Sequence, residues 1–174
     1  MSRLDINIRR LKAQRACLNL AAELIRDVPG PILEFGLGNG RSYDHLREIL
    51  PGREIFVFDR EVAAHPDCIP DDDHLILGDF RHTLPVAGDR LRHPAALIHA
   101  DIGSANLERD ARLAHFVASH IPSLLAPGGL VAADRDVAFA RAAPVYLPDG
   151  VGPGVYFLYR MTRASRAGNA VPAQ

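Results

Sequence analysis

The chain has 174 residues, 48% of them hydrophobic, which is enough for one domain around one substantial core. Its 20 basic and 21 acidic residues leave a formal net charge of -1, so composition gives no electrostatic footprint for nucleic acid or an anionic membrane. The two cysteines, Cys17 and Cys68, form no C-x-x-C pair; this excludes a local zinc or redox motif and fits free thiols in a reducing, cytoplasmic setting.

The stretch from Met1 to Arg15 is rich in Arg and Lys and has no long apolar run, so it reads as neither a secretory signal nor a membrane span. Residues 3–27 are expected to form a helix, with Leu4, Ile8, Leu11, Leu18 and Ile25 recurring at helical spacing. Val28-Pro29-Gly30-Pro31 stops it. A buried strand, Ile32-Leu33-Glu34-Phe35, runs into Gly36-Leu37-Gly38-Asn39-Gly40, and a second helix is expected from Ser42 to Leu50. Further apolar runs are Ile55–Phe58 ending at Asp59, Leu75–Leu77 ending at Gly78-Asp79-Phe80, and Ala95–His99 ending at Asp101. A helix over about 105–125 takes Leu107, Leu113, Phe116, Val117, Ile121, Leu124 and Leu125 as its apolar stripe. Pro127-Gly128-Gly129 then turns into Leu130–Ala133, ending at Asp134.

Near-continuous apolar runs with acidic C-terminal ends are what a parallel sheet covered on both faces requires. The closing segment differs. Val145-Tyr146-Leu147 and Val155–Tyr159 flank a Pro- and Gly-rich stretch and predict an antiparallel hairpin. Residues 1–162 are expected to form a single α/β domain, and 163–174, small and polar, a disordered tail.

The first strand leads into Glu34-x-Gly36-x-Gly38-x-Gly40, the context of a ligand-binding turn between a buried strand and a helix that starts near Ser42. A dinucleotide fingerprint would put glycine at position 41, where Arg41 stands, and the Gly-Lys-Ser/Thr ending of a nucleotide P-loop is absent. An acid ahead of these glycines suits a ligand with a cationic, non-phosphate head. Asp59 ends the second apolar run, where a carboxylate can accept both ribose hydroxyls of an adenosine. Gly78-Asp79-Phe80 ends the third, a carboxylate beside an aromatic ring that suits adenine.

On these residues, together with Asp101 and the Leu124–Leu130 run, the chain over 31–160 resembles the class I S-adenosylmethionine (SAM)-dependent methyltransferases. The resemblance implies a three-layer α/β/α Rossmann-like sandwich with a seven-stranded sheet of order 3-2-1-4-5-7-6. It implies SAM as cofactor, S-adenosylhomocysteine (SAH) as product, and a cofactor site made by Glu34, Gly36, Gly38, Gly40, Ser42, Asp59, Gly78, Asp79, Phe80 and Asp101. Arg60 departs from the apolar residue that often follows the ribose acid in that family.

A finer resemblance, to the catechol and caffeoyl-CoA type O-methyltransferases, rests on Leu97–Asp101 and Pro127–Asp134. There, Asp101 and Asp134 match two metal-binding acids, but Arg135 stands in place of an asparagine. Arginine cannot coordinate a cation, so no metal is expected, and Arg135 is read as a fixed positive charge in its stead. Asp101 and Asp134 are the candidate catalytic acids, able to take a proton from an acceptor; His99, inside a strand, is read as a packed or hydrogen-bonded core residue. The expected function is methyl transfer to a small-molecule acceptor at oxygen or nitrogen, with no nucleic-acid or membrane partner and with a homodimer possible. The alternatives are a non-catalytic SAM-binding module and a nicotinamide-dependent oxidoreductase on the same fold.

Overall fold

The computed structural model describes residues 1–104 and 106–163; the expected tail lies, from residue 164 on, outside the described residues. Helix α1 spans Arg3–Leu24, ending before the expected residue 27. A capping box starts it: the Asp5 amide donates to the Ser2 hydroxyl at 3.0 Å, and the Ser2 amide donates to the Asp5 carboxylate at 3.1 Å. Beyond its other end the Arg53 guanidinium donates to the carbonyls of Ile25, Val28 and Gly30, which pins the turn that leads into the first strand.

Strands β1 (Ile32–Phe35), β2 (Ile55–Asp59), β3 (Leu75–Leu77), β4 (Ala95–Ala100), β5 (Leu125–Ala133), β6 (Ala142–Pro144) and β7 (Phe157–Met161) form one seven-stranded sheet. Its order is β3-β2-β1-β4-β5-β7-β6, the order the resemblance implied. The first five strands pair in parallel; β7 runs antiparallel to both β5 and β6. Helix α2 (Arg41–Ile49) follows β1, a short α3 (Phe80–Thr83) follows β3, and α4 (Leu107–Leu124) leads into β5.

Alternation along the strands sends side chains to two opposite layers. Leu33, Phe35, Phe58, Ile98 and Val131 pack with Val117 and Ile121 of α4. Phe35 and Phe58 meet edge to face, with ring centroids 5.4 Å apart. Ile32, Val57, Leu97 and Leu130 face the other way, toward Leu18 and Ala21 of α1 and Leu46 of α2. No described helix is long and apolar enough to cross a membrane.

Three expectations are corrected. Leu4 and Ile8 are exposed rather than part of the buried stripe, because α1 meets the sheet only from Ala13 onward; Leu107, the first residue of α4, is exposed as well. Strand β5 begins at Leu125, directly after α4, and absorbs Pro127-Gly128-Gly129 with a shift of register against β4. The hairpin strands lie at 142–144, ahead of the expected 145–147, and at 157–161, overlapping the expected 155–159 but running two residues further. Tyr146 is fully exposed, whereas Tyr156 leaves the edge to pack inside.

Candidate functional site

A parallel sheet gathers loops at the C-terminal ends of its strands, and ligands bind there. In this molecule those ends enclose a cleft of about 200 Å3. Gly36 and Gly38 after β1, Asp59 at the end of β2, Asp79 and Phe80 after β3, and Asp101 after β4 all line it. Sequence distance is thereby converted to proximity: six of the ten expected cofactor residues reach one space.

The glycines have different tasks. A Cβ on Gly36 (φ +93°) would collide with the carbonyl of Asp101, and one on Gly40 (φ +80°) with Cys68. Both positions are glycine because chain passes against chain. Gly38 (φ +49°) is different: a Cβ there meets nothing within 4 Å. The space above it is open, as a cradle for a ligand would be.

Asp59 fixes this loop. Its Oδ2 accepts from the amides of Leu37 at 2.7 Å and Gly38 at 3.2 Å, and its Oδ1 from the amide of Arg60 at 2.6 Å. Asp79 caps α3 by accepting from the Arg81 amide at 2.9 Å, the main reason its carboxyl is held below the ordinary value. Phe80 is 8% exposed and packs on Phe35, so little of its ring is open to the cleft.

Asp101 is gripped from α1. The Arg10 guanidinium donates to both of its carboxylate oxygens, at 3.2 and 2.9 Å, and the Gln14 amide donates at 2.9 Å. Neither Arg10 nor Gln14 was singled out in the sequence. A signal existed: a buried polar residue four positions after a long cation, on a helix face that otherwise turns apolar.

Four expected cofactor residues stand outside the cleft lining. Glu34 points from β1 into the α1–α2 layer and is fully buried. It accepts from the Ser42 hydroxyl and pairs with His99 Nδ1 at 2.6 Å. Glu34 and His99 are direct neighbours in register across β1 and β4. Ser42 therefore gives its hydroxyl proton to Glu34. Gly40 and Gly78 shape turns; a Cβ on Gly78 (φ +147°) would press on Thr83. His99 continues to the Tyr156 hydroxyl at 2.5 Å. This buried row sits beneath the glycine loop, and Gln14, 3.4 Å from His99 Nε2, joins it to Asp101.

Asp134 also lies outside the lining. Its side chain is 8% exposed and accepts from the amides of Ile102 at 3.2 Å and Gly103 at 3.1 Å, so it holds the loop after β4 in shape. Burial, reinforced by the charge of Asp101, raises its carboxyl above the ordinary value, against the pull of Arg135. The Arg135 guanidinium sits between Asp134 at 3.3 Å and the buried Asp110 at 3.2 Å. Among the described residues, no set of three His, Cys, Asp or Glu side chains is placed to hold a metal ion.

A family model described as S-adenosyl-L-methionine methyltransferase matches residues 1–161. The chain is 45% identical to a solved structure, an S-adenosyl-L-methionine methyl transferase from Silicibacter pomeroyi DSS-3, with a TM-score of 0.87 over 92% of this chain and 99% of that one. At the level of fold it is similar to human methyltransferase-like protein 13, solved in complex with SAH, at 15% identity and a TM-score of 0.52 over 94% and 85% of the two chains. It is likewise similar to an O-methyltransferase family protein from Burkholderia thailandensis, at 13% identity and a TM-score of 0.54 over 86% and 55%. No curated protein matches the sequence.

Proposed function

Because the chain belongs to the S-adenosyl-L-methionine methyltransferase family, we propose that it methylates a small molecule at an oxygen or nitrogen atom. The observation that carries this reading is the cleft at the strand ends, where Asp59, Asp79 and Asp101 surround an open glycine loop. Three carboxylates at separate stations suit a long cationic ligand with hydroxyl, amine and ammonium groups, and Gly38 leaves room for it. A net charge of -1 gives no overall electrostatic footprint for a nucleic-acid acceptor.

In this reading Asp59 meets the ribose, Asp79 the adenine amine, and Asp101 the methionine end. When bound, SAM supplies a methyl group on a sulfonium: a lone pair of the acceptor takes the methyl, the bonding pair stays on sulfur, and SAH and a proton are released. The chain's part is alignment and exclusion of water. Asp101, of the two candidate catalytic acids, is the one that lines the cleft. Its oxygens are engaged by Arg10 and Gln14, so it orients better than it abstracts.

Gly38 separates a cradle from a mere turn. Gly38→Ala is expected to fold, losing about 1 kcal/mol for a left-handed non-glycine residue. Its added methyl enters the open space and weakens SAH about tenfold. Gly36→Ala should instead lower Tm sharply, through its collision with the Asp101 carbonyl. Thermal melts beside calorimetric titration with SAH check both; a Gly38→Ala protein with unchanged SAH affinity would remove the cradle.

The acceptor is tested by SAH release from SAM across a panel of phenols, hydroxy acids and amines. Release with one class names the acceptor atom. Silence across the panel, with methylation of an added protein or RNA instead, would overturn the small-molecule reading.

A further inference from the structure

Between α1 and the start of α2 lies a second groove, of about 370 Å3, within the roughly 300–1,000 Å3 of small-molecule sites. Its apolar surface comes from Ile8, Leu11 and Leu18, three positions along α1. Leu18 is buried, whereas Ile8 is 42% exposed, so the groove runs from the core to the open. Around this surface stand three cations, Lys12, Arg15 and Arg41. Of the cations on α1, Arg10 is paired with Asp101, whereas Arg3 and Arg9 stand outside the groove lining. Among the described residues none of the three groove cations has an acidic partner within ion-pair distance.

An apolar trough with an uncompensated cationic rim is complementary to one kind of molecule. A neutral hydrophobe leaves the rim unused, and a small hydrated anion leaves the trough wet. The groove neighbours the cleft: Gln14 lines the groove and donates to Asp101, which lines the cleft. Gln14 is buried at 6% exposure and forms the wall between them.

We propose that the α1–α2 groove binds an amphipathic anion, an apolar body bearing a carboxylate, sulfonate or phosphate. The anion is held by Lys12, Arg15 and Arg41, the body lies along Leu11 and Leu18, and the far end of the molecule faces Gln14 and the cofactor cleft beyond.

The probe is 8-anilinonaphthalene-1-sulfonate, an apolar body with one anionic group, followed by its fluorescence on the intact chain. The expected result is saturable one-to-one binding that SAH does not displace. Lys12→Gln with Arg15→Gln and Arg41→Gln should weaken the probe about tenfold or more, while Tm and SAH affinity stay within twofold. Leu11→Glu, at a half-exposed position, should weaken it comparably through the trough. Neutral N-phenyl-1-naphthylamine should bind the charge variant and the parent alike.

Displacement of the sulfonate by SAH would make the groove part of the cofactor site and overturn the proposal. So would equal binding of the sulfonate to parent and variants. Failure of SAH to bind the parent protein would sink the cofactor reading instead, and leave the probe titration to decide the groove alone.

Discussion

Replacing Glu34 by alanine is expected to lower the unfolding free energy by about 3–5 kcal/mol, the cost of stripping one partner from a buried ion pair. Glu34 and His99 are both fully buried, 2.6 Å apart, and no water reaches either. With the carboxylate gone, the imidazole keeps only Tyr156 and a distant Gln14. Urea unfolding measures the loss. A variant as stable as the parent would mean that the pair contributes nothing.

The same pair has a pH signature. Burial alone would push the His99 imidazole down; the charge and hydrogen bond of Glu34 outweigh it, and the group ends above its ordinary value. In the unfolded chain it titrates near about 6.5. A folded value raised above the unfolded one stabilises fully below about pH 6.5 and is lost as pH rises through the folded value. Glu34→Gln keeps the shape and a hydrogen bond but removes the charge, so burial dominates. The stability gap between parent and Glu34→Gln should therefore be widest in mild acid and narrow as pH rises. A constant gap from mild acid to mild alkali would show that His99 stays neutral in the parent.

Asp59→Ala is expected to weaken SAH binding tenfold to a hundredfold, about 1.5–3 kcal/mol for hydrogen bonds to a charged group. The carboxylate sits in the cleft and ties the amides of Leu37, Gly38 and Arg60. Its removal frees the loop that cradles the ligand and deletes the proposed ribose contact together. Asp59→Asn divides these effects. It retains one acceptor oxygen for the loop but loses the charge, so its Tm should stay closer to the parent than that of Asp59→Ala while its SAH affinity falls. Calorimetric titration with SAH, run beside NAD as a control, reads the affinity. An Asp59→Ala protein that binds SAH like the parent would refute the assignment.

Much of this architecture was legible because parallel strands buried on both faces must be written as apolar runs, and Asp59, Asp79, Asp101 and Asp134 each close or follow one. The glycine spacing and the acidic strand ends carried the cleft. Strand β6 was not legible: Ala142-Ala143-Pro144 has weak strand character and is a strand through its pairing with β7 at the sheet edge, where proline is tolerated. Val145-Tyr146-Leu147 looked more like a strand, yet Tyr146 faces solvent. The His99 partner of Glu34 was not legible, because a lone acid before glycines suggests a ligand and nothing local shows which residue lies across the sheet. A hint was present in both strands. An acid and a histidine each interrupt a run otherwise buried, and two such groups inside one sheet have to meet. Arg10 and Gln14 were hidden by distance: 91 and 87 residues separate them from Asp101.

The position of β7 bears on how the chain reaches this state during synthesis. The last of the described strands is not added at an edge; it is threaded between β5 and β6, antiparallel to both. Until it emerges, β5 is a long apolar edge of the growing sheet, open to pairing with other chains. The hydroxyl that completes the polar row under the glycine loop arrives at the same moment, since Tyr156 directly precedes β7 and lies 57 residues beyond His99. A ribosome-bound chain halted before this point holds an unfinished sheet and an unfinished polar row. A truncation that removes β7 should therefore cost the protein the Tyr156–His99 contact nearby as well as the cover on β5.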